Sequence, residues 1–236
     1  MKWTDTVCVD AHDTDFSETA RPAALLRYMQ SAANMQLHTL GPSNEALWAK
    51  GQAFVLSKIG IVFYEPVKAY DVIKASTWSC DSRGYSFNRC YSITKDDTLI
   101  AEATSVWALI DSLSHKPLRV EEFQPNFLPD PIITPDVPLR FSVPKELEEV
   151  GVHTVTYGET DTNRHMNNVR YLDMLCDFIN MEELYVEKVS IQFLSEAPTH
   201  KKIRIFKHEC GDEHFFSSVR EDGRINVQAY IKTRKR

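Results

Sequence analysis

The chain states one arrangement of elements twice, and an internal repeat narrows the available folds more than any local pattern can. A short strand-like start leads into a helical pattern over Arg21 to His38, where Leu25, Tyr28, Met29 and Ala32 recur at spacings of three and four. Pro22 suits the first turn of that helix and Gly41-Pro42 stops it. Strand patterns follow at Val55 to Glu65, Asp71 to Cys80, Tyr85 to Thr94 and Leu99 to Asp111, separated by turn signals such as Asp81-Ser82-Arg83-Gly84. Six of the eleven prolines then crowd between Gln124 and Lys145, a stretch that can be neither helix nor central strand. Beyond it the order returns: a short strand from Val150 to Tyr157, a helix from about Met166, and strands at Val186 to Glu196, Lys202 to His208, His214 to Arg220 and Arg224 to Lys232. The reading is two repeats, 1–123 and 149–236, joined by a proline-rich linker at 124–148.

Sliding the halves by 143 residues lays Glu18 on Asp161, Ala20 on Asn163 and Pro22 on His165, with Thr19, Arg21, Arg27 and Tyr28 meeting identical residues. In this register the first half lacks the amide and the imidazole of the second. Glu65 and Glu196 fall in comparable places at strand ends. One half is therefore expected to do the chemistry, and the other to hold the substrate's apolar part.

Asp161, Asn163 and His165 stand at alternate positions just before the apolar spacing of Val169, Leu172, Cys176 and Ile179. An extended entry would turn all three to one face. A helix N-terminus adds unpaired N–H groups and partial positive charge where an oxyanion could form, which suits acyl transfer. Asn167, Asn168 and Tyr171 read as capping and packing groups, and Cys176 as a buried, inert thiol.

Charge and cysteines set outer bounds. A net charge of −6 argues against nucleic acid as a partner. Five cysteines without a C-x-x-C pair suit reduced thiols and the cytoplasm, and no uncharged stretch is long enough to span a bilayer. The start carries no apolar run like a signal peptide. From Ala197 onward ten Lys and Arg face five acids, so the end of the chain is locally basic.

A helix wrapped by antiparallel strands, given twice, with D-x-N-x-H-x-N-N-x-x-Y at the mouth of the second helix, resembles the acyl-ACP thioesterases of fatty acid synthesis. The resemblance covers nearly the whole chain and implies an α+β tandem (double) hot-dog fold, each repeat a long central helix in an antiparallel sheet. It implies hydrolysis of fatty acyl thioesters on acyl carrier protein through Asp161, Asn163, His165 and Glu196, the last about thirty residues after the motif. Either Glu196 or Asp161 would activate water, or a carboxylate would attack directly. Plant members often place a Cys after this Glu; here Ala197 removes that nucleophile. The resemblance implies no cofactor and no metal, a carrier protein bearing a phosphopantetheine-linked acyl chain as partner, and a monomer or homodimer. Without a plastid transit peptide the chain resembles a bacterial member. The rival expectations are an acyl-CoA thioesterase, a non-catalytic acyl-binding hot-dog protein and a 3-hydroxyacyl thioester dehydratase.

Overall fold

The computed structural model describes residues 1–236 except Gln124, so the first residue of the expected linker lies outside the described residues. The chain divides into two compact units, Met1–Ser57 with Phe63–Asp136, and Lys58–Val62 with Val137–Arg236.

In the first unit β1 (Trp3–Cys8) leads through a 3-10 turn to α1 (Pro22–Leu40) and a short α2 (Asn44–Ala49). The strands are β2 (Gln52–Phe63), β3 (Val72–Ser79), β4 (Phe87–Lys95), β5 (Thr98–Asp111) and the two-residue β6 (Pro117–Leu118). The antiparallel order runs β1-β3-β4-β5, with β6 on β5. Leu25, Leu26, Met29, Ala32 and Ala33 of α1 are buried, and the helix packs on β3, β1 and β4. Each such large aliphatic side chain contributes roughly 1.5–3 kcal/mol on leaving water. The sequence pattern gave no sign of α2, whose six residues are too few for a periodicity; Ser43 caps it by accepting from Ala46 N at 3.2 Å.

The second unit contains β7 (Glu148–Thr154), α3 (Asn168–Cys176), β8 (Leu184–Phe193), β9 (Lys202–Cys210), β10 (Glu213–Arg220) and β11 (Ile225–Lys235). Its antiparallel order is β8-β11-β10-β9-β7, and Lys58–Val62 of β2 pairs with β8. The expectation of a long central helix holds for the nineteen residues of α1 and not for the nine of α3. After Cys176 the amides of Phe178 and Ile179 reach back only three residues, to Leu175 and Cys176, which tightens the chain out of the helix toward β8. Cys176 is half-buried rather than part of a sealed stripe, while Val169, Leu172, Leu175 and Ile179 are buried.

The proline-rich stretch is a strap. In the first unit Trp78 Nε1 donates to Pro131 O at 2.8 Å and Thr104 Oγ1 to Ile133 O at 2.7 Å. In the second Gln192 Nε2 donates to Phe141 O at 3.2 Å, and a side chain on Gly60 would meet Val137 at 3.0 Å. No helix among the described residues is long and apolar enough to cross a membrane.

Candidate active site

The segment before α3 is a tight turn and not the extended entry expected. Asp161 Oδ1 accepts from Asn163 N at 2.8 Å, Arg164 N donates to Asp161 O at 3.0 Å, and Asp161 N donates to His165 O at 2.9 Å. Arg164 adopts φ 63°, which breaks the extended alternation expected between Asp161 and His165. The physical cause is the Asp side chain, which competes for local backbone donors and bends the chain. Asn163 presents its side chain to solvent with no hydrogen-bond partner among the described residues. Two first-turn amides of α3 are also taken: Asn167 Oδ1 accepts from Val169 N at 3.0 Å and Asn167 O from Arg170 N at 2.9 Å. Those two are not the oxyanion donors expected from the helix start.

Two residues distant in sequence are brought together. His165 Nε2 lies 3.3 Å from Glu196 Oε2, because His165 bridges antiparallel to Pro198 and Met166 N donates to Ala197 O at 2.9 Å. Both side chains keep access to water, 29% exposed for His165 and 52% for Glu196. Arg220 Nη1 donates to Glu196 O at 3.0 Å, holding the corner from the far side. Beneath the corner Tyr171 is buried, and its hydroxyl accepts from Asn226 Nδ2 at 3.1 Å. Burial first, against hydrogen bonds from Asn226 and the Ala197 backbone and with the nearby charges of Asp161 and Glu196, pushes the phenol up to about 12.

The same framework recurs in the first unit, three residues away from the register expected. Asp15 N–Thr19 O, Glu18 N–Asp15 O, Arg21 N–Asp13 O and Ala20 N–Val67 O repeat Asp161 N–His165 O, Arg164 N–Asp161 O, Asn167 N–Glu159 O and Met166 N–Ala197 O. Glu18 carries φ 59° where Arg164 carries 63°, and Tyr70 carries 68° where His200 carries 64°. The matching spacing is therefore 146 residues through the turn, as from Asp15 to Asp161, and 130 at the corner, as from Val67 to Ala197. The 143-residue match was misled by Arg27 and Tyr28: three residues is close to one helical turn, so a slip preserves the buried face. In the corrected register Ser17 stands for Asn163, Thr19 for His165 and Pro66, not Glu65, for Glu196. Asp161 is matched by Asp15, whose Oδ1 likewise accepts from Ser17 N at 2.8 Å.

From sequence Tyr171 reads as a packing residue, and Asn226 carries no motif. The available signal was a buried amide in the apolar run Ile225-Asn226-Val227. No cluster of His, Cys, Asp and Glu suited to a metal ion occurs among the described residues.

Comparison with known proteins bears on this arrangement. The family described as acyl-ACP thioesterase N-terminal domain matches residues 1–124, and that described as acyl-ACP thioesterase C-terminal domain matches residues 144–235. A chloroplastic palmitoyl-acyl carrier protein thioesterase of Gossypium hirsutum is 20% identical over 227 residues, 89% of this chain and 52% of the relative. The chain spans about half the length of these curated relatives. Among solved structures, an acyl-ACP thioesterase from Bacteroides thetaiotaomicron superposes with TM-score 0.90 at 19% identity, covering 99% of this chain and 98% of that one. A 12:0-ACP thioesterase from Umbellularia californica gives 0.85 at 14% identity, covering 100% and 98%. These likenesses show the double hot-dog fold.

Proposed function

Since the chain belongs to the acyl-ACP thioesterase family, we propose that it hydrolyses the thioester of fatty acyl-acyl carrier protein, releasing free fatty acid and ending chain extension. The observation that carries this reading is the His165–Glu196 pair at 3.3 Å, present in one unit and replaced by Thr19 and Pro66 in the other. Water attacks the acyl carbon as the C–S bond breaks. Glu196 takes the water proton and passes it to His165, 3.3 Å away, and the imidazolium so formed gives it to the departing thiolate. Asp161 spends Oδ1 on the turn; its charge steadies the imidazolium that forms on His165, and Asn163 helps to orient the thioester. A thioester is already a reactive acyl donor, and Ala197 leaves no thiol beside Glu196, so water activated by a carboxylate suffices.

In this reading the N-terminal repeat (1–123) holds the acyl chain on its apolar interior, and the C-terminal repeat (149–236) does the chemistry in the cytoplasm. The carrier is acidic and docks on basic side chains. Lys201 and Lys202 support this: they lie exposed just after the Glu196 corner and carry no ion pair among the described residues. Arg204 is less available, being paired with Glu149. Arg236 is anchored too, its Nε donating to Met181 O at 3.0 Å while the guanidinium stacks on Tyr185.

The test is incubation with acyl-ACP and acyl-CoA panels, measuring free thiol and free acid. Faster release from acyl-ACP is expected. Equal or faster release from acyl-CoA would move the assignment to an acyl-CoA thioesterase, and no release from either would leave an acyl-binding protein.

A further inference from the structure

The two copies of the framework differ in one more respect. In the second unit Asn226 Nδ2 donates to Tyr171 OH at 3.1 Å and to Ser195 O, and Ser218 Oγ donates to Asn226 Oδ1 at 3.1 Å. All three residues are buried, Asn226 and Ser218 at 0% exposure and Tyr171 at 2%. The first unit fixes their counterparts. Leu194 N and Ser195 N both donate to Asn226 O, as Tyr64 N and Glu65 N do to Ile100 O. Ser218 precedes a register shift on β10 as Ile93 does on β4, and α3 begins at Asn168 as α1 begins at Pro22, which sets Tyr171 on Leu25. Tyr, Asn and Ser thus replace Leu25, Ile100 and Ile93, all buried aliphatics.

Burying three polar side chains costs more than burying three aliphatic ones, and the backbone holds the corner without them in the first unit. The polar trio occurs where His165 and Glu196 occur, and is absent where Thr19 and Pro66 stand.

We infer that Tyr171 and Asn226 are positioning residues of the hydrolytic site, clamping the Ser195–Ala197 corner so that Glu196 meets His165; the inference rests on the thioesterase reading above. Asn226 grips Ser195 O, next to Glu196, and is itself held by the Tyr171 hydroxyl and by Ser218.

The experiment compares Tyr171→Phe, which removes one oxygen, with Glu196→Gln and with the double variant, measuring kcat and KM on acyl-ACP and Tm of each protein. Expected for Tyr171→Phe are a kcat lower by about tenfold to a hundredfold, as for a small misplacement of a catalytic group. KM should stay within about twofold, because the clamp sets the geometry of Glu196 and not the binding of the acyl chain. The double variant should be no slower than Glu196→Gln alone. If Glu196→Gln is inactive while Tyr171→Phe keeps parental kcat, the clamp is refuted and the thioesterase reading stands. If Glu196→Gln is fully active, the site reading fails and the clamp with it. Should Tyr171→Phe not fold, Ser218→Ala removes the outer member of the trio and is read in the same way.

Discussion

Replacing Asp161 by Asn separates geometry from charge. The turn needs an acceptor 2.8 Å from Asn163 N, and an Asn carbonyl oxygen supplies one at the same reach. The net loss to the fold is then a fraction of one hydrogen bond, on the order of 0.5 kcal/mol. The loss to catalysis should be larger. Removing a charge that steadies a proton-transfer group lowers rates by ~10²–10⁴, which at 1.36 kcal/mol per decade is about 2.7–5.4 kcal/mol of barrier. Asp15→Asn is the internal control, because Asp15 forms the same turn, its Oδ1 accepting from Ser17 N, with no His165 or Glu196 equivalent beside it. Steady-state hydrolysis of acyl-ACP and thermal melts on both variants give the comparison. Both should melt close to the parent, and only Asp161→Asn should lose turnover. If Asp161→Asn stays within a few-fold of the parent, Asp161 is a turn-former like Asp15, and Glu196 with His165 carries the chemistry alone.

His165→Ala and Glu196→Gln should each lower kcat/KM by ~10²–10⁴ with the fold intact by circular dichroism; full activity in both would remove the site. Charge reversal at Lys201 and Lys202 should raise KM for acyl-ACP, more at low salt than high, and spare short acyl-thioester mimics; equal effects on both substrates would make the pair a bystander. Enlarging Leu25 or Met29 to Phe should shorten the released acids, since each methylene is worth about 0.8 kcal/mol, roughly fourfold in preference; an unchanged length profile would detach the N-terminal repeat from the chain. Stability should fall between pH 10 and 12. Tyr171 is pushed up from 10 to about 12, chiefly by burial, so the folded state holds its proton where the unfolded chain has released it. That stabilisation is fully present below pH 10 and amounts to about 2.7 kcal/mol for two units. Tyr28 and Tyr64, also raised to about 12 but more open to solvent, add less. Urea melts at pH 9 and 11 should show a smaller drop for Tyr171→Phe, and an identical drop would refute the assignment.

The order of elements was legible because apolar spacing reports burial, and burial is what the helices and strands of both units share. The strand patterns Val186 to Glu196 and Leu99 to Asp111 landed within a few residues of β8 and β5 for that reason. The turn at Asp161 was not legible: alternation predicts an extended chain, while one carboxylate bonded to Asn163 N, with Arg164 at φ 63°, bends it. Nor was the register of the repeat, since Arg27 and Tyr28 matched Arg170 and Tyr171 one helical turn out of place. Hydrogen bonds fix that register, and they leave no trace in side-chain identity. The nearness of Glu196 to His165 followed from the family pattern, whereas the Tyr171–Asn226–Ser218 network depends on contacts between α3, β11 and β10 that no local pattern encodes.

The two spacings of the repeat, 146 through the turn and 130 at the corner, differ by sixteen residues, all of them between the helix start and the corner. Every stitched backbone contact on either side of that interval survived the change in length. The interval is where the two copies differ without disturbing either end: the first holds a nineteen-residue helix and α2, and the second stops after nine helical residues. For anyone reshaping this protein, that interval is the place to insert or excise residues, and the turn and corner are the places to leave untouched.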